Sequence, residues 1–287
     1  MLHNNPQRPR ILAMLTAVVM LVALMAVLVG VQPAQAQGKN NPGILPPQSH
    51  PYGLTYGEWS AKWYQWQFAI PASRNPLNDG SGAWAATGQS GHVWFLAGLN
   101  CIMDPNTMVC SQPPKNTPVT RQVKIPSGTA LLIPIANVEW DEYGYASFQD
   151  VSVLRGVAKG YIDQIETIYL KVDNKVDLTT KEDFASYRVT SPVFSYTMPA
   201  TDNMYGLNCT SGSSDPICDV SFPNLKWANN THTAVTAYPV VGDGYYIMLA
   251  PLSVGSHVIQ FGFNNPGIFG LDIKYDITVV PAGQYNK

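Results

Sequence analysis

Hydrophobic and polar positions alternate with two different periods along this chain. Trp59, Trp63, Trp66 and Ile70 recur at helical spacing, Thr55 stands three residues before Glu58 as a capping box, and Pro71 closes the run. The pattern predicts an amphipathic helix that docks its tryptophan face on a sheet, the ordinary role of such a stripe; a sugar-stacking platform is the alternative. Short runs rich in β-branched and aromatic residues, bounded by Gly or Pro, then predict strands at His92–Ala97, Val119–Ile125, Ala130–Asn137, Thr167–Val172, Tyr187–Thr190, Val193–Met198, Thr233–Val240, Tyr245–Leu249, His257–Phe263 and Leu271–Val280. In the last of these, Leu271, Ile273, Tyr275, Ile277 and Val279 share one face and Asp272, Lys274 and Asp276 the other, as in a half-buried strand. A second helix is expected with Ser147 as its cap, Asp150 at the third position and an apolar stripe of Val151, Leu154, Ala158, Tyr161 and Ile165. Gly156 and Gly160 inside it each cost about 1 kcal/mol against Ala.

Many short strands separated by turn signals point to a mainly β protein, an antiparallel β-sandwich of jelly-roll or Ig-like type, with an N-terminal amphipathic helix and one further helix. The expected organisation is a leader at 1–36, an extended linker or arm at 37–51, one sandwich domain at 52–281 and a tail at 282–287.

The first segment carries Arg8 and Arg10, then an apolar run from Ile11 to Val31, then Ala34-Gln35-Ala36. That order is the pattern of a secretory signal peptide cleaved before Gln37. The run is long enough to read also as an uncleaved anchor, but Pro33 and the small-x-small site stand where processing needs them. The expected product is a secreted protein, extracellular or periplasmic, without a membrane span. Cleavage lowers Lys and Arg from 17 to 15 against 19 Asp and Glu. A weakly acidic chain without basic clusters argues against nucleic acid or an anionic membrane as partner.

Four cysteines form two local pairs, Cys101 with Cys110 and Cys209 with Cys218. The local connectivities are the most economical of the three available, and an oxidising compartment keeps such bridges. The spacing is too wide for a four-cysteine metal site.

Several stretches resemble a family of uncharacterised secreted bacterial β-rich proteins: Tyr52-Gly53-Leu54-Thr55-Tyr56-Gly57-Glu58-Trp59-Ser60-Ala61-Lys62-Trp63, Gly91-His92-Val93-Trp94-Phe95-Leu96-Ala97-Gly98, and Pro251-Leu252-Ser253-Val254-Gly255-Ser256-His257 running on to Gly262. The resemblance covers most of the mature chain. It implies export and a shared fold, and it transfers no catalytic residue.

Ser90 misses the nucleophile-elbow pattern because His92 stands where a glycine is needed, and Ser256 and His257, adjacent in a strand, point to opposite faces. His50, His92, His232 and His257 lack metal-ligand spacing. The densest chemistry is Glu139-Trp140-Asp141-Glu142, just past an apolar strand. In extended backbone Glu139 and Asp141 project to one side, Trp140 and Glu142 to the other. With Asn78 and Asp79 the acids make a candidate calcium set, and with Trp84 and Trp227 a candidate glycan-binding set. A solvated acidic loop is the plainer reading. The sequence therefore points to a non-catalytic extracellular or surface binding module for a glycan or a protein, with a carboxylate-dependent glycan hydrolase as the alternative.

Overall fold

Thr55 and Glu58 close the expected capping box. The Glu58 amide donates to Thr55 Oγ1 at 3.1 Å and the Thr55 amide donates to Glu58 Oε2 at 2.8 Å. Helix α1 (Tyr56–Ala69) follows and ends just ahead of Pro71. Two of its three tryptophans are core: Trp63 is 2% exposed and its indole donates to the Leu96 carbonyl at 2.9 Å, while Trp66 donates to Thr87 at 3.0 Å; Trp59 is half-buried and donates to the Pro51 carbonyl at 2.8 Å. The computed structural model describes residues 43–100, 118–141, 150–207, 225–227, 232–266 and 269–286, with backbone only at 225–227. The cysteines, residues 1–36, Ser147 and Glu142 lie outside the described residues, as does the Trp227 side chain.

Eleven strands occur among the described residues: β1 (Val93–Phe95), β2 (Val119–Pro126), β3 (Ala130–Trp140), β4 (Thr167–Val172), β5 (Val176–Leu178), β6 (Arg188–Thr190), β7 (Phe194–Pro199), β8 (Leu225–Trp227), β9 (Ala234–Leu249), β10 (Gly255–Asn265) and β11 (Phe269–Val280). Helix α2 (Val151–Asp163) lies between β3 and β4. It starts one residue after Asp150, whose side chain caps it by accepting from the Ser152 amide at 2.7 Å. Asp150 is thus the cap and not a first-turn residue. The buried stripe is Leu154, Ala158 and Ile162, with Ile165 beyond the helix end.

The first sheet runs β1-β3-β9-β6, with β7 and β8 pairing the early half of β9. The second runs β2-β11-β10-β4-β5. Leu131, Ile133 and Ile247 of the first sheet and Leu170, Phe261 and Ile273 of the second belong to one buried cluster, the core of the expected sandwich. Each sheet carries one parallel pair, β1 with β3 and β2 with β11, and is otherwise antiparallel. Helix α1 covers the other face of the first sheet, packing Trp63, Tyr64 and Phe68 against Leu132, Tyr246 and Met248.

Two predicted strands, Thr233–Val240 and Tyr245–Leu249, are one strand, β9. The glycines that suggested a break have a packing role. A Cβ on Gly244 would stand 2.6 Å from the Ala136 carbonyl oxygen. Opposite it, the register of β3 slips between Pro134 and Ala136, the kind of bulge at which a central strand tolerates proline. Strands β5 and β8, of three residues each, are too short to leave a periodic signal.

The segment expected to be an extended arm is bound at its described end. Ile44 bridges Leu249, the Leu45 amide donates to the Met248 carbonyl at 2.8 Å, and the Ala250 amide donates to Gly43 at 2.8 Å. Among the described residues no helix is long and apolar enough to cross a membrane.

Candidate functional site

The β3 bulge decides which way the acids point. Before it, Ala130 and Leu132 face helix α1, while Leu131, Ile133 and Ile135 face the inter-sheet core. Ala136 also belongs to that core, so one residue is inserted and the alternation changes phase. Beyond the bulge Asn137, Glu139 and Asp141 bond to tyrosines on the α1 side, while Val138 and Trp140 pack with Leu154 of α2 and Val241. Trp140 stacks on Tyr161, with ring centroids 5.3 Å apart. Glu139 and Trp140 lie within β3, and Asp141 is 7% exposed. Glu139 and Asp141 are therefore not in a solvated loop: β3 runs to Trp140, and Tyr196, Tyr205 and Phe68 close over the two carboxylates.

Tyrosines supply the donors. The Tyr205 hydroxyl donates to Glu139 Oε1 at 2.8 Å, and the Tyr196 hydroxyl makes a short hydrogen bond to Asp141 Oδ2. The two hydroxyls are 3.2 Å apart. Tyr196 comes from the buried face of β7, and Tyr205 from a turn folded around Asn203, whose side-chain oxygen accepts from the Tyr205 and Leu207 amides at 3.2 and 3.0 Å. Phe68 of α1 lies on both rings, 3.8 Å from Tyr196 and 5.5 Å from Tyr205 between centroids. Further along β3, Asn137 donates to Tyr64 at 2.7 Å and to Tyr246 at 3.1 Å.

Burial, and then the Asp141 charge, hold the Glu139 carboxyl well above the usual carboxylate range, against a smaller opposing effect of the Tyr205 bond. Its Oε2 is buried without a hydrogen-bond partner among the described residues. Each carboxyl thus accepts from its own tyrosine, Glu139 from Tyr205 and Asp141 from Tyr196. Burial likewise raises both tyrosines well above their ordinary value.

This arrangement differs from a glycosidase pair, whose two carboxyls flank the scissile bond from opposite sides. Glu139, in β3, and Asp141, the residue after its end, project to the same side and are joined through tyrosines.

The other expected residues go elsewhere. Asn78 donates to the Ala72 carbonyl at 3.1 Å. The Asp79 carboxylate accepts from the Ser81 amide at 2.8 Å and the Trp84 amide at 2.9 Å. Burial opposes its ionisation, but these bonds and the Arg121 charge outweigh it and lower its pKa. Arg121, 1% exposed, donates to the Asp79, Ala97 and Gly98 carbonyls at 2.7, 2.6 and 3.0 Å and to the Tyr275 hydroxyl at 2.7 Å. A neighbouring guanidinium makes Asp79 a poor cation ligand. Among the described residues no three His, Cys, Asp or Glu side chains are grouped to hold a metal ion. Trp84 is 42% exposed.

One constellation escaped the sequence reading. His257 Nδ1 is 2.6 Å from Asp173 Oδ2, and its Nε2 is 3.4 Å from Ser253 Oγ. The serine is four residues before the histidine, a spacing that a strand pattern hides because Ser253 precedes β10. Nε2 lies closer, at 2.8 Å, to the Ser253 carbonyl, which can only accept. The Ser253 carbonyl thus competes with its hydroxyl for Nε2, and the set clamps the start of β10 to the turn after β4, where Asp173 Oδ1 also accepts from the Val258 amide at 2.7 Å.

No protein-family model and no curated protein matches this chain. Among solved structures it is similar at 8% identity to the solution structure of Amebosin, over 66% of this chain and 100% of that one, with a TM-score of 0.15 that carries no argument.

Proposed function

We propose that this chain is an exported, non-catalytic binding module whose ligand is a glycan, with residues 1–36 as the export signal. The observation that carries the reading is an asymmetry of the sandwich. Helix α1 covers the first sheet, and the carboxylates suited to hydrolysis are bonded beneath it. No described helix or strand packs on the outer face of the second sheet. Most of its residues there, Gln122 and Lys124 of β2, Lys171 of β4 and Thr278 of β11 among them, are exposed and polar, with Val258 of β10 an apolar exception. An uncovered polar sheet face suits a hydroxyl-rich ligand better than an apolar one.

The test is a paired screen of the exported protein against a glycan array and a panel of glycoside and ester substrates. Binding without turnover supports the module. Turnover lost in both Glu139→Gln and Asp141→Asn would replace it with the hydrolase. Calcium belongs in the same screen: a rise in Tm abolished by Asp141→Asn would place a cation among the acids.

A further inference from the structure

On the outer face of the second sheet one aromatic ring lies across the strands. Tyr169 of β4, Gly262 of β10 and Asp272 of β11 are direct cross-strand neighbours in one row. A Cβ on Gly262 would stand 2.8 Å from Tyr169 Cε1 and 3.0 Å from its hydroxyl oxygen, so the ring crosses the position that the glycine leaves bare. The hydroxyl then reaches over β10 and donates to Asp272 Oδ1 at 2.6 Å. Gln260, in the next row of β10, donates to the same oxygen at 2.9 Å. The ring is pinned at its far end and half-buried, with the sheet under it.

We propose that this row is the glycan subsite, with Tyr169 as the surface on which a sugar ring stacks and Asp272 and Gln260 as the groups that bond its hydroxyls. The inference rests on the glycan-binding reading above and names its site. Asp272 and Gln260 spend one carboxylate oxygen and one amide hydrogen on each other and on Tyr169. The second carboxylate oxygen and the amide oxygen supply acceptors to which neighbouring sugar hydroxyls can donate. Holding the tyrosine in place beforehand reduces the ordering cost of stacking.

Charge narrows the ligand class. Lys124, Lys171 and Lys274 share this face with Asp177, Asp272 and Asp276; Lys274 bonds Asp276 at 2.8 Å and Lys171 approaches Asp177 to 3.8 Å. Neither sign is in excess, so the face suits a neutral oligosaccharide over a polyanion. The exposed Tyr52 and Trp84 lack this setting. Tyr52 already stacks on His92, with centroids 6.1 Å apart and planes 9° apart. The Trp84 ring has no such carboxylate and amide pair bonded beside it among the described residues.

The experiment titrates neutral β-glucan, xylan, mannan and chitin oligosaccharides into the exported protein and its Tyr169→Ala, Asp272→Asn, Tyr52→Ala and Trp84→Ala variants, each first checked for an unchanged Tm. Tyr169→Ala is expected to weaken binding by about ten-fold or more, as loss of one stacked ring would. Asp272→Asn should weaken it as well, while Tyr52→Ala and Trp84→Ala match wild type. Amide hydrogen exchange should slow in β4, β10 and β11 when the oligosaccharide is bound. If wild type binds and Tyr169→Ala binds equally, or the loss follows Tyr52 or Trp84, the subsite is wrong and the glycan reading stands. If wild type binds no oligosaccharide, both fall.

Discussion

Glu139 in β3 and Asp141 just past its end stand two residues apart and are linked through the hydroxyls of Tyr205 and Tyr196, which are 3.2 Å from each other. Burial beside Asp141, against the smaller effect of the Tyr205 bond, couples the protonation of Glu139 to folding. Its carboxyl is held well above the usual range in the native state, so between the unfolded value of about 4.3 and the folded value the native chain binds more protons than the unfolded one. The stabilisation is complete below the unfolded value and is lost as pH rises through the folded value. Glu139→Gln, which cannot ionise, should flatten that fall. Relative to wild type it should gain up to about 1.4 kcal/mol per pH unit across the window. Urea denaturation across pH checks this, and parallel profiles for the two proteins would refute it.

Tyr196→Phe removes the hydroxyl that donates to a carboxylate only 7% exposed. A loss of about 1–3 kcal/mol is expected, the range for a buried acceptor deprived of its donor. Tyr238→Phe, on a ring 59% exposed, serves as the control and should change little. Equal midpoints for both variants would show that the Tyr196 bond contributes nothing.

Trp63 tests the docking of α1. Truncating an indole that is 2% exposed and bonded to the Leu96 carbonyl should cost about 3–5 kcal/mol in Trp63→Ala. An unchanged Tm would return the tryptophan stripe to the surface and revive it as a sugar platform.

Arg121 joins three carbonyls to the Tyr275 hydroxyl from inside the fold. Arg121→Met fills similar volume but leaves the Asp79, Ala97 and Gly98 oxygens without that donor, at about 1–3 kcal/mol each. Destabilisation of about 3 kcal/mol or more is expected from chemical denaturation. A neutral outcome would mean that water replaces the guanidinium.

Local signals were legible wherever one element supplied both halves of the pattern. The capping box of Thr55 and Glu58 located the start of α1, and the alternation through Leu271 and Val279 located β11. The common direction of Glu139 and Asp141 followed from the period of a strand. Their burial did not, because it depends on Tyr196 and Tyr205, far away in sequence, and on a phase change at the β3 bulge. Pro134 amid β-branched and aliphatic residues was the available sign of that bulge. A buried-face Tyr196 was a sign that some acceptor had to meet its hydroxyl. The row of Tyr169, Gly262 and Asp272 was hidden for a related reason: three strands contribute one residue each, and only their register brings them together.

The bound stretch Gly43–Leu45 has a consequence for self-association. It bonds the Met248 carbonyl and the Ala250 amide, while the Tyr56 hydroxyl donates to the Leu45 carbonyl at 2.5 Å and accepts from the Met248 amide at 3.0 Å. These residues therefore act as an edge guard for the end of β9. A chain trimmed to begin at Tyr52 would leave that edge bare, ready to pair with an extended segment of another molecule. Its tendency to form dimers and larger aggregates should then rise with concentration, even where its core packing is unchanged.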